Sequence, residues 1–313
     1  MKNNLKNIKK IVTNSPVIEI QYKINNSIKK VYASLEWFSL TGSIKDRVAY
    51  QIYADAFRRG DLKNGDKVVE VTSGNMGLSL TAIGKLLGLD VTIIMPKNMS
   101  DERKQLLNLY GANLVLVDDF KSAFALCEDY KNKGYFCTNQ FSNLSNQKIH
   151  FNHTAKNIYV KIKNKHVKCF VAGVGTSGTL SGAGGFFKQK GFSVFAVEPT
   201  NARILSGKPP FKKHKLQGLS DEKKPELYND NLADGVFQIC DDDAIAISQK
   251  LCKELAIGVG ISSGANFLGA VLSGQDCVTI FADDNKKYLS TDLTKNVKSK
   301  LVDKIKLISL KVL

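Results

Sequence analysis

The chain lacks any apolar run approaching the roughly 20 residues that cross a bilayer, so no membrane span and no membrane partner are expected. Its opening, Met1-Lys-Asn-Asn-Leu-Lys-Asn-Ile-Lys-Lys10, has no apolar signal-peptide core, and the expected location is the cytoplasm. There are six cysteines but no C-x-x-C spacing, which argues against both a disulfide framework and a zinc site. The four histidines, His150, His153, His166 and His214, form no i, i+4 pair, and no metal is expected. Acidic residues are scarce, 29 against 45 Lys and Arg, for a net charge of +16. A nucleic-acid partner would need a recognition module beside the basic face, and none is visible. Solvated lysine-rich faces and an anionic small substrate account for the charge.

What is present points to an α/β protein. At 313 residues and 43% hydrophobic content, one large domain or two closely packed ones can be built. Short apolar strand patterns at 17–22, 30–37, 67–71, 91–95, 113–117, 168–172, 194–197, 235–239 and 278–282 recur along the chain. Helical patterns at 43–59, 75–87, 100–110, 120–132, 150–164, 179–190, 241–254 and 263–272 alternate with them. Gly60, Gly88, Gly111, Gly134 and Gly191 stand just past helix ends, where a left-handed residue closes the helix. The alternation predicts largely parallel sheets covered on both faces by right-handed crossovers. The softest seam is 139–152, and 201–232 is an irregular stretch of the length expected of a lid. From Leu293 onward, Val297, Leu301, Ile305, Ile308 and Val312 recur at helical spacing, predicting a basic amphipathic helix docked on its own domain or on a second subunit.

Four glycine-bearing turns between strand and helix carry the chemistry. In Glu36 to Arg47 a strand breaks at Thr41-Gly42 and a helix follows, so Lys45 falls in its first turn. Neighbouring N–H groups and the positive helix end lower an ammonium's pKa there. Taken alone, the stretch fits either a solvated lysine or one suited to a Schiff base. Thr72-Ser-Gly-Asn-Met-Gly77 opens a helix with hydroxyls, an amide and free N–H groups, an arrangement that suits a carboxylate. Gly173-Val-Gly-Thr-Ser-Gly-Thr179 can curl into a nest of donors around a phosphate. Gly258-Val-Gly-Ile-Ser-Ser-Gly264 precedes another helix. Each could equally be a plain tight turn. The third has no Walker lysine, and as a dinucleotide fingerprint it comes late, with only Glu198 at about the right distance.

Together, Glu36…Ser43-Ile-Lys45-Asp-Arg, Thr72-Ser-Gly-Asn-Met-Gly77, Gln140-Phe-Ser-Asn143…Asn146, Gly175-Thr-Ser-Gly-Thr179 and Gly260-Ile-Ser-Ser-Gly264 resemble the cysteine synthase (O-acetylserine sulfhydrylase) and cystathionine β-synthase family, pyridoxal phosphate enzymes of fold type II. The resemblance runs in order from about Ser15 to Thr291. It implies two three-layer α/β domains with the cofactor between them: a smaller mobile one over 41–145 and a larger one from 1–40 plus 146–313. It further implies a homodimer. By the resemblance, Lys45 forms the Schiff base with pyridoxal 5'-phosphate and Asn75 bonds its phenolic oxygen. Gly175, Thr176, Ser177, Gly178 and Thr179 hold its phosphate, and Ser262 faces the pyridine nitrogen. Thr72, Ser73 and Gln140 bind the substrate carboxylate, and Met76 and Gly218 complete the substrate-binding set. The implied reaction is β-replacement through an α-aminoacrylate, giving cysteine from O-acetyl-L-serine and sulfide.

The departures bear on substrate. Ser39-Leu40 stands where the family usually has Asn-Pro, Met76 replaces a substrate-holding threonine, and Ser177 replaces a common glycine. Gly218-Leu-Ser-Asp-Glu-Lys223 replaces a glycine-rich segment at the mouth of the family's site. Asp221 or Glu222 could there activate water, turning the same machinery into a sulfide-releasing L-cysteine lyase that yields L-serine, or one that yields a thioether with a thiol acceptor. A catalytically silent protein on the same fold is the remaining alternative.

Overall fold

The computed structural model describes residues 2–208, 210–219 and 223–313. The chain opens with helix α1 (Lys2–Val12), which the sequence reading did not anticipate. Its Ile8 and Val12 are buried against Val48 and Ile52 of a later helix, and this apolar stripe is why a lysine-rich segment folds down. Strands β1 (Val17–Ile24) and β2 (Ser27–Leu35) form an antiparallel hairpin. Its two turn residues, Asn25 and Asn26, both take positive φ (47° and 63°), the twist that two-residue hairpins require.

Helix α2 (Lys45–Arg59) leads to β3 (Lys67–Val71), α3 (Asn75–Leu86), β4 (Asp90–Pro96), α4 (Asp101–Leu109), β5 (Asn113–Val117), α5 (Phe120–Asn132) and the two-residue β6 (Phe136–Cys137). These strands make a four-stranded parallel sheet in the order β5-β4-β3-β6. After α6 (Leu144–Ile149), a π-turn at His150–Thr154 and α7 (Ala155–Ile162), the chain enters β7 (Cys169–Gly173), a second π-turn at Leu180–Gly184, and α8 (Gly185–Gln189). Then come β8 (Ser193–Pro199), β9 (Gly235–Ile239), α9 (Asp241–Leu255), α10 (Ile261–Leu272), β10 (Cys277–Phe281), the single turn α11 (Lys300–Asp303) and β11 (Lys306–Val312). The second sheet runs β11-β1-β2-β10-β7-β8-β9. From β2 to β9 its strands are parallel, and β1 and β11 add two antiparallel strands at one edge. Two α/β layers with mostly parallel sheets are thus present. The five helix-ending glycines all have φ between 71° and 84°.

The C-terminal helix is a correction. Apart from the end of a 3-10 turn at Asp292–Thr294, only Lys300–Asp303 is helical, and Lys306–Val312 pairs antiparallel with β1, from Ile18↔Val312 to Lys23↔Lys306. Ile305, Ile308 and Val312 satisfy a helical spacing, but β-branched residues also suit a pleated edge. Without this partner β1 would leave a row of backbone groups unpaired. The segment does dock on its own domain, with Ile305 1% exposed. Residues 201–232 form turns without a helix or strand among those described.

Both sheets change winding direction at a defined place. In the smaller sheet, β4 and β5 lie to one side of β3 and β6 to the other. In the larger, β8 and β9 lie to one side of β7 and β10 to the other. Loops leaving the carboxyl ends of the two central neighbours diverge at such a point and open a crevice, where open α/β sheets bind ligands. The diverging loops here are Thr72–Asn75, Thr138–Gln140, Val174–Thr179 and Ala282–Asp284.

Candidate active site

Helix α2 is pinned before it begins. Arg47 and Glu36 are each 1% exposed, and the Arg47 Nε–H donates to Glu36 Oε2 at 2.5 Å while Nη2 donates to Oε1 and to the Ser15 hydroxyl. Ser34 donates to the same carboxylate at 2.6 Å. The Ile44 N–H donates to the Ala282 carbonyl at 2.9 Å, and Ser43 bridges Asp283. Lys45, the first residue of α2, is thereby held beside the end of β10. Desolvation lowers its ammonium pKa to about 8, partly opposed by the Asp283 carboxylate. A lysine with that value supplies free amine near neutral pH, which Schiff-base chemistry needs.

Asp283 was not singled out from the sequence, yet it organises this end of the site. It is 1% exposed and accepts from Asn75 Nδ2 and from the Tyr288 hydroxyl, both at 2.7 Å. Asn75 Oδ1 and Asp283 Oδ1 remain buried without a protein partner. The Asn75 amide still has a second hydrogen to offer, and orphaned buried groups of this kind mark a place where a ligand completes the hydrogen bonding.

The turn after β7 is built for close approach. Ser177 takes φ 65°, and a Cβ at Gly175 would overlap the Gly218 carbonyl, as one at Gly178 would overlap Asn146 Oδ1. Asn146 Nδ2 donates at 2.9 Å both to the Gln140 carbonyl and to Thr176 Oγ1, joining the loop after β6 to the turn after β7. Behind Thr179 lies His150, fully buried and 3.5 Å from the Thr179 hydroxyl through Nε2 and 3.0 Å from Thr154 through Nδ1. Burial, then the Lys45 and Arg47 charges, hold its pKa well below the usual histidine value, so the ring is neutral. The two π-turns flank this contact, at His150 and just after Thr179, and such turns cluster at functional sites.

Thr72 Oγ1 accepts from the Gly74 N–H at 3.1 Å, and Gln140 Nε2 donates to the Val71 carbonyl at 3.2 Å. Thr72, Ser73, Asn75, Gln140 and the turn Gly175–Thr179 thus lie on or just after the loops that leave the switch-point strands, with Lys45 beside the end of β10 and Ser262 in the first turn of α10. Met76 is corrected: at 1% exposure it packs in the apolar cluster of the smaller sheet, so its effect on the site is the hydroxyl it lacks. Gly218 sits against Gly175, at the phosphate turn rather than at the carboxylate arms. Asp221 and Glu222 lie outside the described residues. Glu198 accepts from the Leu205 N–H at 2.8 Å and from the Ser206 hydroxyl, which removes it as a ribose ligand.

Crevice, lysine and phosphate turn define an enzyme built around a lysine-bound, phosphate-bearing carbonyl cofactor. The pyridoxal-phosphate dependent enzyme family matches residues 8–283, and the chain belongs to it. It is a pyridoxal 5'-phosphate-dependent enzyme of fold type II. It is 36% identical over 299 residues to the cysteine synthase of Staphylococcus aureus, an alignment covering 92% of this chain and 96% of that one. A hydrogen sulfide-producing enzyme from Fusobacterium nucleatum superposes with TM-score 0.95 at 37% identity, over 100% of this chain and 99% of that one. An aspartate-to-asparagine mutant of that enzyme is known in complex with an α-aminoacrylate intermediate. The O-acetyl serine sulfhydrylase isoform 3 of Entamoeba histolytica gives TM-score 0.85 at 35% identity, over 93% and 92% of the chains.

The residues present fit the cofactor. The lowered Lys45 amine, the Asn75 amide with its unfilled oxygen and a turn whose glycines leave no room for Cβ atoms are groups that would serve as an anchor, a ring contact and a phosphate cradle.

Proposed function

We propose that this enzyme exchanges the β-substituent of a three-carbon amino acid, with sulfur on one side of the exchange, and that its first activity is cysteine synthesis from O-acetyl-L-serine, or a related serine donor, and sulfide. The observation that carries the reading is the desolvated Lys45 amine at the switch-point crevice, together with near full-length similarity to a cysteine synthase. When bound, pyridoxal phosphate supplies the electron sink that makes the Cα proton acidic and lets the β-substituent depart.

The chain's own residues do the rest. Lys45 Nζ would accept the Cα proton and later return one. Thr72, Ser73 and Gln140 hold the carboxylate and so aim the Cα–H bond at Nζ. Closure of 41–145 over the substrate would exclude water. Gly175, Thr176, Ser177, Gly178 and Thr179 hold the phosphate by N–H groups and hydroxyls. Asn75 contacts the phenolic oxygen. Ser262, buried in the first turn of α10, would face the pyridine nitrogen with a neutral group and so would not enforce its protonation as an aspartate would. The active form is a cytoplasmic homodimer. Among the described residues no helix is long and apolar enough to cross a membrane.

A second reading, sulfide release from L-cysteine, is favoured by the acidic Asp221-Glu222 in the segment that replaces the family's glycine-rich one and by the full-length similarity to a sulfide-producing enzyme. In it Asp221, or Glu222, activates water to give L-serine, or a thiol adds instead to give a thioether such as lanthionine or cystathionine. Product analysis separates the two. With O-acetyl-L-serine and sulfide the holoenzyme is expected to form cysteine, and with L-cysteine alone to release little sulfide. Rapid sulfide with stoichiometric serine, lost in Asp221→Asn, establishes the second reading. No amino-acid turnover in either mixture overturns both.

A further inference from the structure

The smaller sheet contains a charge where its pattern calls for an apolar residue. Glu70, inside the strand Lys-Val-Val-Glu-Val, is 2% exposed. Burying a carboxylate costs several kcal/mol unless it is well bonded, and this one is bonded in a particular way. Strand β6 pairs with β3 only at Val68↔Phe136 and Val69↔Cys137. Beyond that the regular ladder ends, and the Glu70 carboxylate takes its place. Oε1 accepts from the Val71 N–H at 2.9 Å, whereas Oε2 accepts from the Gln140 N–H at 3.1 Å and from the Thr138 hydroxyl. One side chain thus joins the two loops that diverge at the switch point, one leading to Thr72–Ser73 and the other carrying Gln140.

We propose that Glu70 is a positioning residue that fixes the spacing of the two arms gripping the amino-acid carboxylate. The inference rests on reading Thr72, Ser73 and Gln140 as that grip. Both oxygens must act as acceptors for the device to work. An amide in its place has one oxygen: turned toward Gln140 it presents N–H to the Val71 N–H, and turned toward Val71 it presents N–H to the Gln140 N–H. Protonation does the same, converting one oxygen to a hydroxyl donor.

The grip is therefore pH-sensitive. Burial pushes Glu70 up to about 7, opposed by the Thr138, Gln140 and Val71 hydrogen bonds. The titratable groups facing it are Tyr53 of α2, Cys127 of α5 and Cys137 of β6, each within reach of its charge. Burial raises the Tyr53 hydroxyl well above its usual value. The Cys127–Cys137 contact at 3.5 Å pushes Cys127 up and pulls Cys137 down. The consequences for binding and stability have opposite signs. Because the folded value lies above the unfolded one, Glu70 favours the folded state most at low pH, and that contribution is lost as pH rises from its unfolded value through about 7. Over the same interval ionisation completes the grip and binding tightens.

The test is the dissociation constant of the holoenzyme for L-serine at pH 6 and 8, read from the cofactor absorbance, with thermal unfolding in parallel. If only the ionised form grips, wild-type binding tightens by about tenfold between those pH values, beyond any change shared by the variants. Glu70→Gln is expected to bind about tenfold more weakly at pH 8 and to lose that extra pH dependence, while its melting temperature stays level or rises. Thr138→Val removes one donor to the ionised form and shifts the transition to higher pH. It carries the test alone if Glu70→Gln does not fold. Wild-type affinity and pH dependence in Glu70→Gln, or an unshifted transition in Thr138→Val, overturn the proposal. Gln140→Ala separates it from the underlying reading: if that variant binds L-serine normally, the carboxylate assignment itself is wrong.

Discussion

Lys45→Ala is expected to lose the visible absorbance of a protonated Schiff base and to lose at least about 1000-fold in turnover, the scale of a missing proton carrier. The physical ground is the desolvated amine, which Ile44 and Ser43 hold beside β10 through Ala282 and Asp283. Alanine removes the covalent anchor and the base for the Cα proton together, while the Asn75 amide and the Gly175–Thr179 turn stay in place. The variant should therefore still bind cofactor without bonding to it. Capture of added pyridoxal phosphate by wild-type apoprotein should accelerate as pH rises through about 8, where the ammonium gives up its proton. A Lys45→Ala protein that keeps its absorbance and turnover would show that another lysine is the anchor.

Glu36→Ala is expected to destabilise the fold by about 3–5 kcal/mol, because it leaves the Arg47 guanidinium buried without its counter-charge. Arg47 is 1% exposed, and among the described residues its side chain hydrogen-bonds to Ser15 besides Glu36. The pair is also the clamp between the end of β2 and the helix that carries Lys45. Loss of stability should thus be accompanied by loss of cofactor. Replacing both residues with apolar ones, Glu36→Leu with Arg47→Met, should recover much of the stability, since no unpaired charge is then buried. Denaturant unfolding of the single and double variants measures both effects. A single variant as stable as wild type contradicts the clamp.

Most of the fold was legible because its elements are long enough to show their period. Helix α2 and the turns after β3 and β7 were visible as strand-to-helix breaks, and they hold Lys45, Thr72, Asn75 and the phosphate turn. At the C terminus, the spacing of Ile305, Ile308 and Val312 fits either period, and the deciding fact was the open edge of β1. Strand β6 has two residues, too few to show alternation. Asp283, and the contacts that Asn146 and His150 make, escaped for another reason. Asn75–Asp283 spans 208 residues and Asn146–Thr176 spans 30, so their roles exist only once the sheets are assembled. Glu70 did leave a signal, a carboxylate within an apolar strand, and the reading passed over it.

The central claim, that Lys45 at the switch-point crevice carries the cofactor of a β-replacement enzyme, is tested most directly by reducing the holoenzyme with borohydride and mapping the modified peptide by mass spectrometry. A pyridoxyl phosphate group on the peptide containing Lys45, and absent when L-serine has displaced that lysine before reduction, is the predicted result. Modification at a different lysine, or no modification at all, would contradict it.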